Sequence, residues 1–309
     1  MAAATFHAAT LRVRVPATSA NLGPGYDSFG LALSLWDEIE VSVAERGLAL
    51  EVSGEGADSV GKDASNLVVT AMNTAFDYLG GRPPGVAMRC LNRIPHGRGL
   101  GSSAAAVVGG LCAARALTVG GDERIDDDRL LALATEVEGH PDNAAAAIHG
   151  GFTVAWTDGS GASSAGVLTG NPHDDVRPVA FIPDVELRTA EARRVLPDSV
   201  PHRDAAVNSS RAALLARALI ERPDLLMVAT EDLLHQNYRR PVMSASLSLM
   251  DDLRASGVPA VISGAGPSVL ALTRHSEAGQ VAAEPRPGWR VEVLDVARGG
   301  VDVTRVTSG

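Results

Sequence analysis

The segment Pro95 to Ala106 reads PHGRGLGSSAAA and constrains this chain more than any other stretch. Gly97, Gly99 and Gly101 let a backbone turn through positive φ and come close to a ligand. Ser102 and Ser103 follow, then alanines that favour a helix and leave little side-chain bulk. A loop of this kind opening a helix presents unpaired N–H groups and the positive end of the helix dipole, which together hold an anion. A Walker phosphate loop adds a lysine in the pattern G-x-x-x-x-G-K-[ST]. None stands here, because Lys62, in the polar segment GKDAS, is the only lysine among 309 residues. A Schiff-base mechanism would likewise have only that one lysine to use. An anion held at 95–106 must therefore be neutralised by backbone N–H groups, by a hard cation on a serine oxygen, or by nearby arginines.

The rest of the composition narrows the class. Apolar residues make up 45% and aromatics only 4%, so small aliphatics and alanine must fill a globular core. A formal net charge of −10 argues against a nucleic-acid or anionic-membrane surface. A local pocket can still oppose that charge and take a small anion. Cys90 and Cys112 lie in apolar contexts without CxxC spacing, which reads as two buried thiols in a reducing compartment rather than a zinc site. No secretory leader pattern and no membrane-length apolar run are visible, so a soluble cytoplasmic protein is expected.

Periodicity places the motifs. Leu11 to Val15 and Ile39 to Val43 alternate as strands, with PATSANLGPGYDSFG (16–30) between them as a loop. Asn66 to Leu79 reads as a helix stopped at Gly80, and Val86 to Leu91 as a strand leading into the glycine loop. The run after Gly101 is helical to about Gly120, and Asp126–Asp128 cap a further helix with the stripe Leu130, Leu133, Ala134 and Val137. GFTVAW reads as a strand, and Asp158 to Pro172 as the best linker. Beyond it come a strand at 179–182, helices near 208–221, 224–236 and 245–256, a strand–loop–strand at AVISGAGPSVLAL, and a last strand at WRVEVLDV. Helices and strands interleave without a regular βαβ repeat. This predicts an α+β protein of two domains, 1–160 and 161–309, whose last strand can rejoin the first.

Four further segments carry polar chemistry. Asn21 and Asp27 stand in the first loop, where an aspartate can bind an ammonium or make an Asx-turn. TEVEGHPDNAAAA (135–147) packs His140, Asp142 and Asn143 into a turn after a helix end. Glu136 and Glu138 flank that helix's apolar stripe at similar angles, and periodicity does not choose between them as a metal ligand. SGAGPS (263–268) is a second glycine loop between apolar strands. TAEAR (189–193) and HQNYR (235–239) each end in an arginine, the side chain that grips carboxylate in a fork.

Taken together these segments resemble the GHMP kinases, and within them the homoserine kinase family. PHGRGLGSSAAA is similar to the family's lysine-free phosphate loop, and SGAGPS to its third motif. RVPATSANLGPGYDSFGLAL, EGHPDN…GGF, Thr189 to Arg193 followed by VLP, and HQ-x-YR at 239 match the homoserine kinases. The resemblance implies the two-domain fold of that superfamily, a ribosomal-protein-like N-terminal domain with a ferredoxin-like C-terminal domain, and a homodimer. It implies transfer of a phosphoryl group from ATP, with Mg²⁺, to the hydroxyl of L-homoserine. It assigns Pro95, His96, Gly97, Arg98, Gly99, Leu100, Gly101, Ser102, Ser103 and Ala104 to the phosphates, and Asn66 to the adenine. Ser103 and Glu136 become the metal pair. Asn21, Asp27, His140, Asn143, Thr189, Arg193 and Arg239 would line the acceptor site, with Asp27 on the ammonium and Arg239 on the carboxylate. Asn143 and Arg193 would lie near the reacting hydroxyl. Asp142 aligns with a base of the mevalonate-type enzymes, although homoserine kinases are described as lacking one. Tyr26 stands where phenylalanine is frequent in the family, and Ala265 where serine is common.

Overall fold

The computed structural model describes residues 4–159 and 164–306. β1 (Leu11–Ala20), β2 (Phe29–Ala44) and β3 (Gly47–Gly54) precede helix α1 (Leu67–Tyr78) and β4 (Gly85–Asn92). Then come α2 (Ser102–Leu117), α3 (Gly121–Arg124), α4 (Asp127–Glu138), α5 (Asp142–His149), β5 (Phe152–Trp156) and β6 (Gly166–Gly170). The second half holds β7 (Val176–Pro183), α6 (Thr189–Arg194), α7 (His202–Glu221), α8 (Leu226–Ala229), α9 (Ser244–Ala255), β8 (Ala260–Ile262), β9 (Val269–Arg274), α10 (His275–Ala283), β10 (Trp289–Val293) and β11 (Asp302–Arg305).

Two sheets organise these elements: a seven-stranded sheet ordered β11-β1-β2-β4-β3, with β5 on β2 and β6 on β5, and a four-stranded sheet ordered β10-β7-β9-β8. The α+β class is as expected. The chain passes from one sheet to the other between Gly170 and Val176, later than residue 160, because β6 pairs with β5 inside the stretch read as a linker. Residues 160–163 of that stretch lie outside the described residues. The strand at 289–293 stays in the second sheet, and it is β11, not read from the sequence, that pairs with β1.

Strands β7, β8 and β9 of the second sheet are largely buried on both faces. Val179, Phe181, Val269 and Ala271 pack on a cluster with Leu247, Met250 and Leu253 of α9. Their neighbours Ala180, Ile182, Leu270 and Leu272 point into the main core with α2 and the first sheet. The strict alternation of a strand therefore joins the two cores through one sheet. α2 is buried along most of its length, and Gly110 lets it approach α1: a Cβ there would lie 2.4 Å from the Val68 carbonyl. Cys90 and Cys112 are buried, and burial pushes both thiols up to about 12.

Three expectations are corrected. The loop at 16–30 shrinks to 21–28, because β1 runs through Pro16 on a register shift at Pro16/Ala17 and keeps its pairing with β2. The helix near 224–236 is two short pieces, at 223–225 and in α8. Beyond Thr230 the Asp232 carboxylate accepts from the N–H groups of Leu234, His235 and Gln236, an alternative to helical bonding. Val137 of the α4 stripe is exposed, and Leu131 is buried in its place.

Candidate active site

Two segments read separately from the sequence converge on the glycine loop. Thr18 at the end of β1 donates its N–H to the Leu100 carbonyl at 3.0 Å. Gly264 N–H donates to Ala20 O at 3.0 Å, and Asn21 Nδ2 donates back to Gly264 O at 2.7 Å. Ser263 Oγ donates to Gly99 O at 2.6 Å. Gly99 has φ +73°, and a Cβ there would lie 2.2 Å from Ser263 O and 2.8 Å from Gly266 O. Gly99→Ala is therefore expected to push the 263–266 loop off the phosphate loop. The melting temperature should fall by several degrees and nucleotide affinity at least ~10-fold, measured by thermal shift and equilibrium titration. An alanine protein with native melting and affinity would mean that the two loops are not locked together here.

Gly101 caps α2 in the left-handed region, so the N–H groups of Ser102, Ser103 and Ala104 open the helix without intrahelical partners. Two cavities meet at this helix end and share Ser102 and Ser103. The first, about 310 Å³, is mainly apolar, with Ile39, Val52, Leu67 and Val68 in its walls, and includes Asn66, Asn92 and His96. The second, about 270 Å³, is polar and gathers Asn21, Asp27, His140, Asn143, Thr189, Arg193 and Arg239 with Gly97, Gly99 and Gly101. Every residue expected at the acceptor site lines this one cavity.

Inside it the partners are specific. Asp27 grips Arg193 in a fork, NH1 to Oδ2 at 3.0 Å and NH2 to Oδ1 at 2.6 Å. Arg193 NH1 also donates to the Tyr26 hydroxyl at 2.8 Å, a contact that phenylalanine would not make. Asn21 is committed to architecture, since its Oδ1 accepts from Asp27 N–H at 2.9 Å while Nδ2 holds Gly264. Asn21 and Asp27 both sit at positive φ, which short polar side chains tolerate. Asp142 is 2% exposed, and its Oδ1 accepts from His140 Nδ1 at 2.8 Å and Asn143 N–H at 2.7 Å. That bond raises the His140 pKa and favours the imidazolium beside the cavity. Arg239 is 1% exposed, donates to Gly264 O at 3.1 Å, leaves Nε without a partner, and forms no ion pair among the described residues. Burial lowers its pKa, as expected of a guanidinium lacking a counter-anion.

Four of the residues expected at the site, Pro95, Arg98, Leu100 and Glu136, lie outside both cavities. Glu136 is exposed and outside the cavity, whereas Glu138 lines it and accepts from Ser103 Oγ at 2.5 Å. Burial pushes the Glu138 carboxyl above the usual range, which a cation beside it would reverse. Arg98 turns away from the cavity and holds the carbonyls of His96, Pro183 and Asp184. Pro95 and Leu100 are buried in the loop's support rather than facing the cavity. Asn66 lines the apolar cavity, but its amide also caps α1 through Val68 N–H and holds Gly61 O. Sequence reasoning passed over Thr18, a fully buried hydroxyl bonded to Asn143. Its signal was a threonine at a core-facing position of the PATSAN segment.

Comparison with known proteins decides the family. Residues 66–151 match the GHMP kinase N-terminal domain and residues 210–286 the GHMP kinase C-terminal domain. A homoserine kinase of Streptomyces avermitilis is 52% identical over 98% of both chains. The chain belongs to the GHMP kinases, in the homoserine kinase family. A homoserine kinase of Streptomyces coelicolor is 53% identical over 98% of this chain and 97% of its own. The structure of a Cytophaga hutchinsonii homoserine kinase shares the fold, with a TM-score of 0.79, 24% identity and coverage of 96% of this chain and 97% of that one. The glycine loop here is bonded to Thr18 of β1 and to Ser263 just after β8, and no helix among the described residues is long and apolar enough to cross a membrane.

Proposed function

We propose that this GHMP kinase transfers the γ-phosphoryl group of ATP to the side-chain hydroxyl of L-homoserine, giving O-phospho-L-homoserine and ADP in threonine biosynthesis. The observation that carries the acceptor class is Arg239, a buried guanidinium without an ion-pair partner among the described residues, in the same cavity as the Asp27 carboxylate. One fixed cation and one fixed anion suit the carboxylate and ammonium of an amino acid. The α2 N-terminus on the adjoining wall suits a triphosphate, with the base in the apolar cavity. A mevalonate-type acceptor would leave Asp27 without an ammonium.

Ser103 and Glu138 offer hard oxygen donors side by side at that helix end, a set that fits Mg²⁺. When bound there the ion supplies neutralisation of phosphate charge in place of the missing lysine. This chain's own groups do the rest. The N–H groups of 102–104 hold the phosphates, Arg239 and Asp27 orient the acceptor, and Asn143 and Arg193 meet the reacting oxygens. Glu138→Gln is expected to raise the Mg²⁺ concentration for half-maximal rate and lower kcat about 100-fold, with Glu136→Gln near wild type. A magnesium titration of both variants checks this, and equal effects would remove the Ser103–Glu138 assignment.

The function itself is tested by coupled ADP release with MgATP and L-homoserine, L-serine, mevalonate or galactose. Turnover selective for L-homoserine is expected. Turnover of another acceptor alone would keep the family and overturn the substrate. ATP binding with silence on the whole panel would favour a non-catalytic nucleotide-binding role.

A further inference from the structure

Thr18 sits near the end of β1 with no exposed surface, on a strand whose buried neighbours Val13, Val15 and Ala17 are apolar. A valine of nearly the same shape would fit a core strand without burying a hydroxyl, which costs free energy unless the hydroxyl is bonded. The Thr18 hydroxyl has one side-chain partner, the Asn143 Oδ1, to which it donates at 2.8 Å across 125 positions of sequence. Its backbone N–H holds Leu100 O, and a Cβ on Gly101 would lie 2.0 Å from its Oγ1. Thr18 is thus wedged between the phosphate loop and the start of α5.

An amide has two ends. With Oδ1 taken by Thr18, Asn143 has Nδ2 to offer: one of its hydrogens goes to Asp142 Oδ1 at 3.4 Å and the other is left to donate. We propose that Thr18 is a positioning residue for the phosphoryl transfer: its hydroxyl fixes the Asn143 amide so that Nδ2–H donates toward the acceptor oxygen, at a set distance from the phosphate loop. This rests on the kinase reading given above. Nothing in it requires Thr18 to touch either substrate. Its hydroxyl acts through Asn143, and its main chain acts on the loop that holds the other reactant. Misplacement of a group that meets the reacting atoms lowers the chemical step more than it lowers binding.

The experiment is steady-state kinetics of Thr18→Val, Thr18→Ser and Asn143→Ala, with thermal melting alongside. Thr18→Val is expected to lose roughly 10- to 100-fold in kcat, while both KM values stay within about 3-fold. Thr18→Ser keeps the hydroxyl and should return kcat to within about 3-fold of wild type. In the Asn143→Ala background, Thr18→Val should cost little more. A folded Thr18→Val enzyme with wild-type kcat overturns the proposal, as does an equal loss in the serine and valine variants, which would mean packing alone. Should the valine variant fail to fold, Thr18→Ala against Thr18→Ser makes the same comparison. A wild-type protein inactive on L-homoserine would instead count against the substrate reading, and the Thr18 comparison is then made on the alcohol that is turned over.

Discussion

Replacing Arg193 by alanine is expected to lower kcat by about 10³-fold or more, with Asp142→Asn losing only about 10-fold. Arg193 projects from α6 into the cavity that contains the α2 N-terminus, where its fork spans Asp27 and the Tyr26 hydroxyl. An ammonium bound at Asp27 would compete for the same carboxylate and free the guanidinium for phosphoryl oxygens. In a loose phosphoryl-transfer transition state, charge gathers on those oxygens and little proton transfer has occurred, so a fixed cation outweighs a base. Asp142 has the environment of a brace rather than a base. It is buried, and one of its oxygens already accepts from His140 and from the Asn143 N–H. An asparagine oxygen can take over much of that role. Single-turnover kinetics of both variants, with binding of each substrate measured separately, checks the order. A folded Asp142→Asn enzyme that binds both substrates and is dead would make Asp142 a base and reverse it.

Arg239→Ala should raise the KM for L-homoserine by roughly 100-fold or more, corresponding to about 3 kcal/mol for a buried charge-assisted pair, while the KM for ATP changes little. Arg239→Lys should not rescue it. The guanidinium lies over the Tyr26 ring, its carbon 5.8 Å from the centroid, and donates to Gly264 O. A lysine ammonium is a compact, strongly hydrated charge that cannot hold a carboxylate in a bidentate fork. The same substitution removes one of the ties between the 263–266 loop and the rest of the site, so melting should be followed in parallel. An unchanged homoserine KM in a folded alanine variant would move the carboxylate clamp elsewhere.

The long, strongly patterned elements were legible in the sequence. α1 begins at its Asn66 cap, α2 at Gly101 and α4 at Asp126 because local capping chemistry marks those ends. The strands that escaped are short or sit at edges. β3 is mostly exposed, β6 begins and ends on glycine, and β11 has four residues with little burial. Their pairing depends on distant partners rather than on their own pattern. At the site, the loops were legible as motifs, but side-chain direction was not. Glu136 and Glu138 flank one stripe, and only the approach of α2 to the end of α4 selects Glu138. Arg98 lies inside the phosphate loop in sequence, yet three backbone carbonyls draw it the other way. The Asp27–Arg193 fork joins residues 166 positions apart and leaves no local trace.

ADP release alone does not report where the phosphoryl group goes. The most direct measurement is phosphorus NMR of a reaction of the purified protein with MgATP and L-homoserine, followed as ATP is consumed. A phosphomonoester resonance growing in step with ADP, matching authentic O-phospho-L-homoserine on spiking, is the predicted result. Growth of inorganic phosphate alone, or no consumption of ATP when L-homoserine is added, would contradict it.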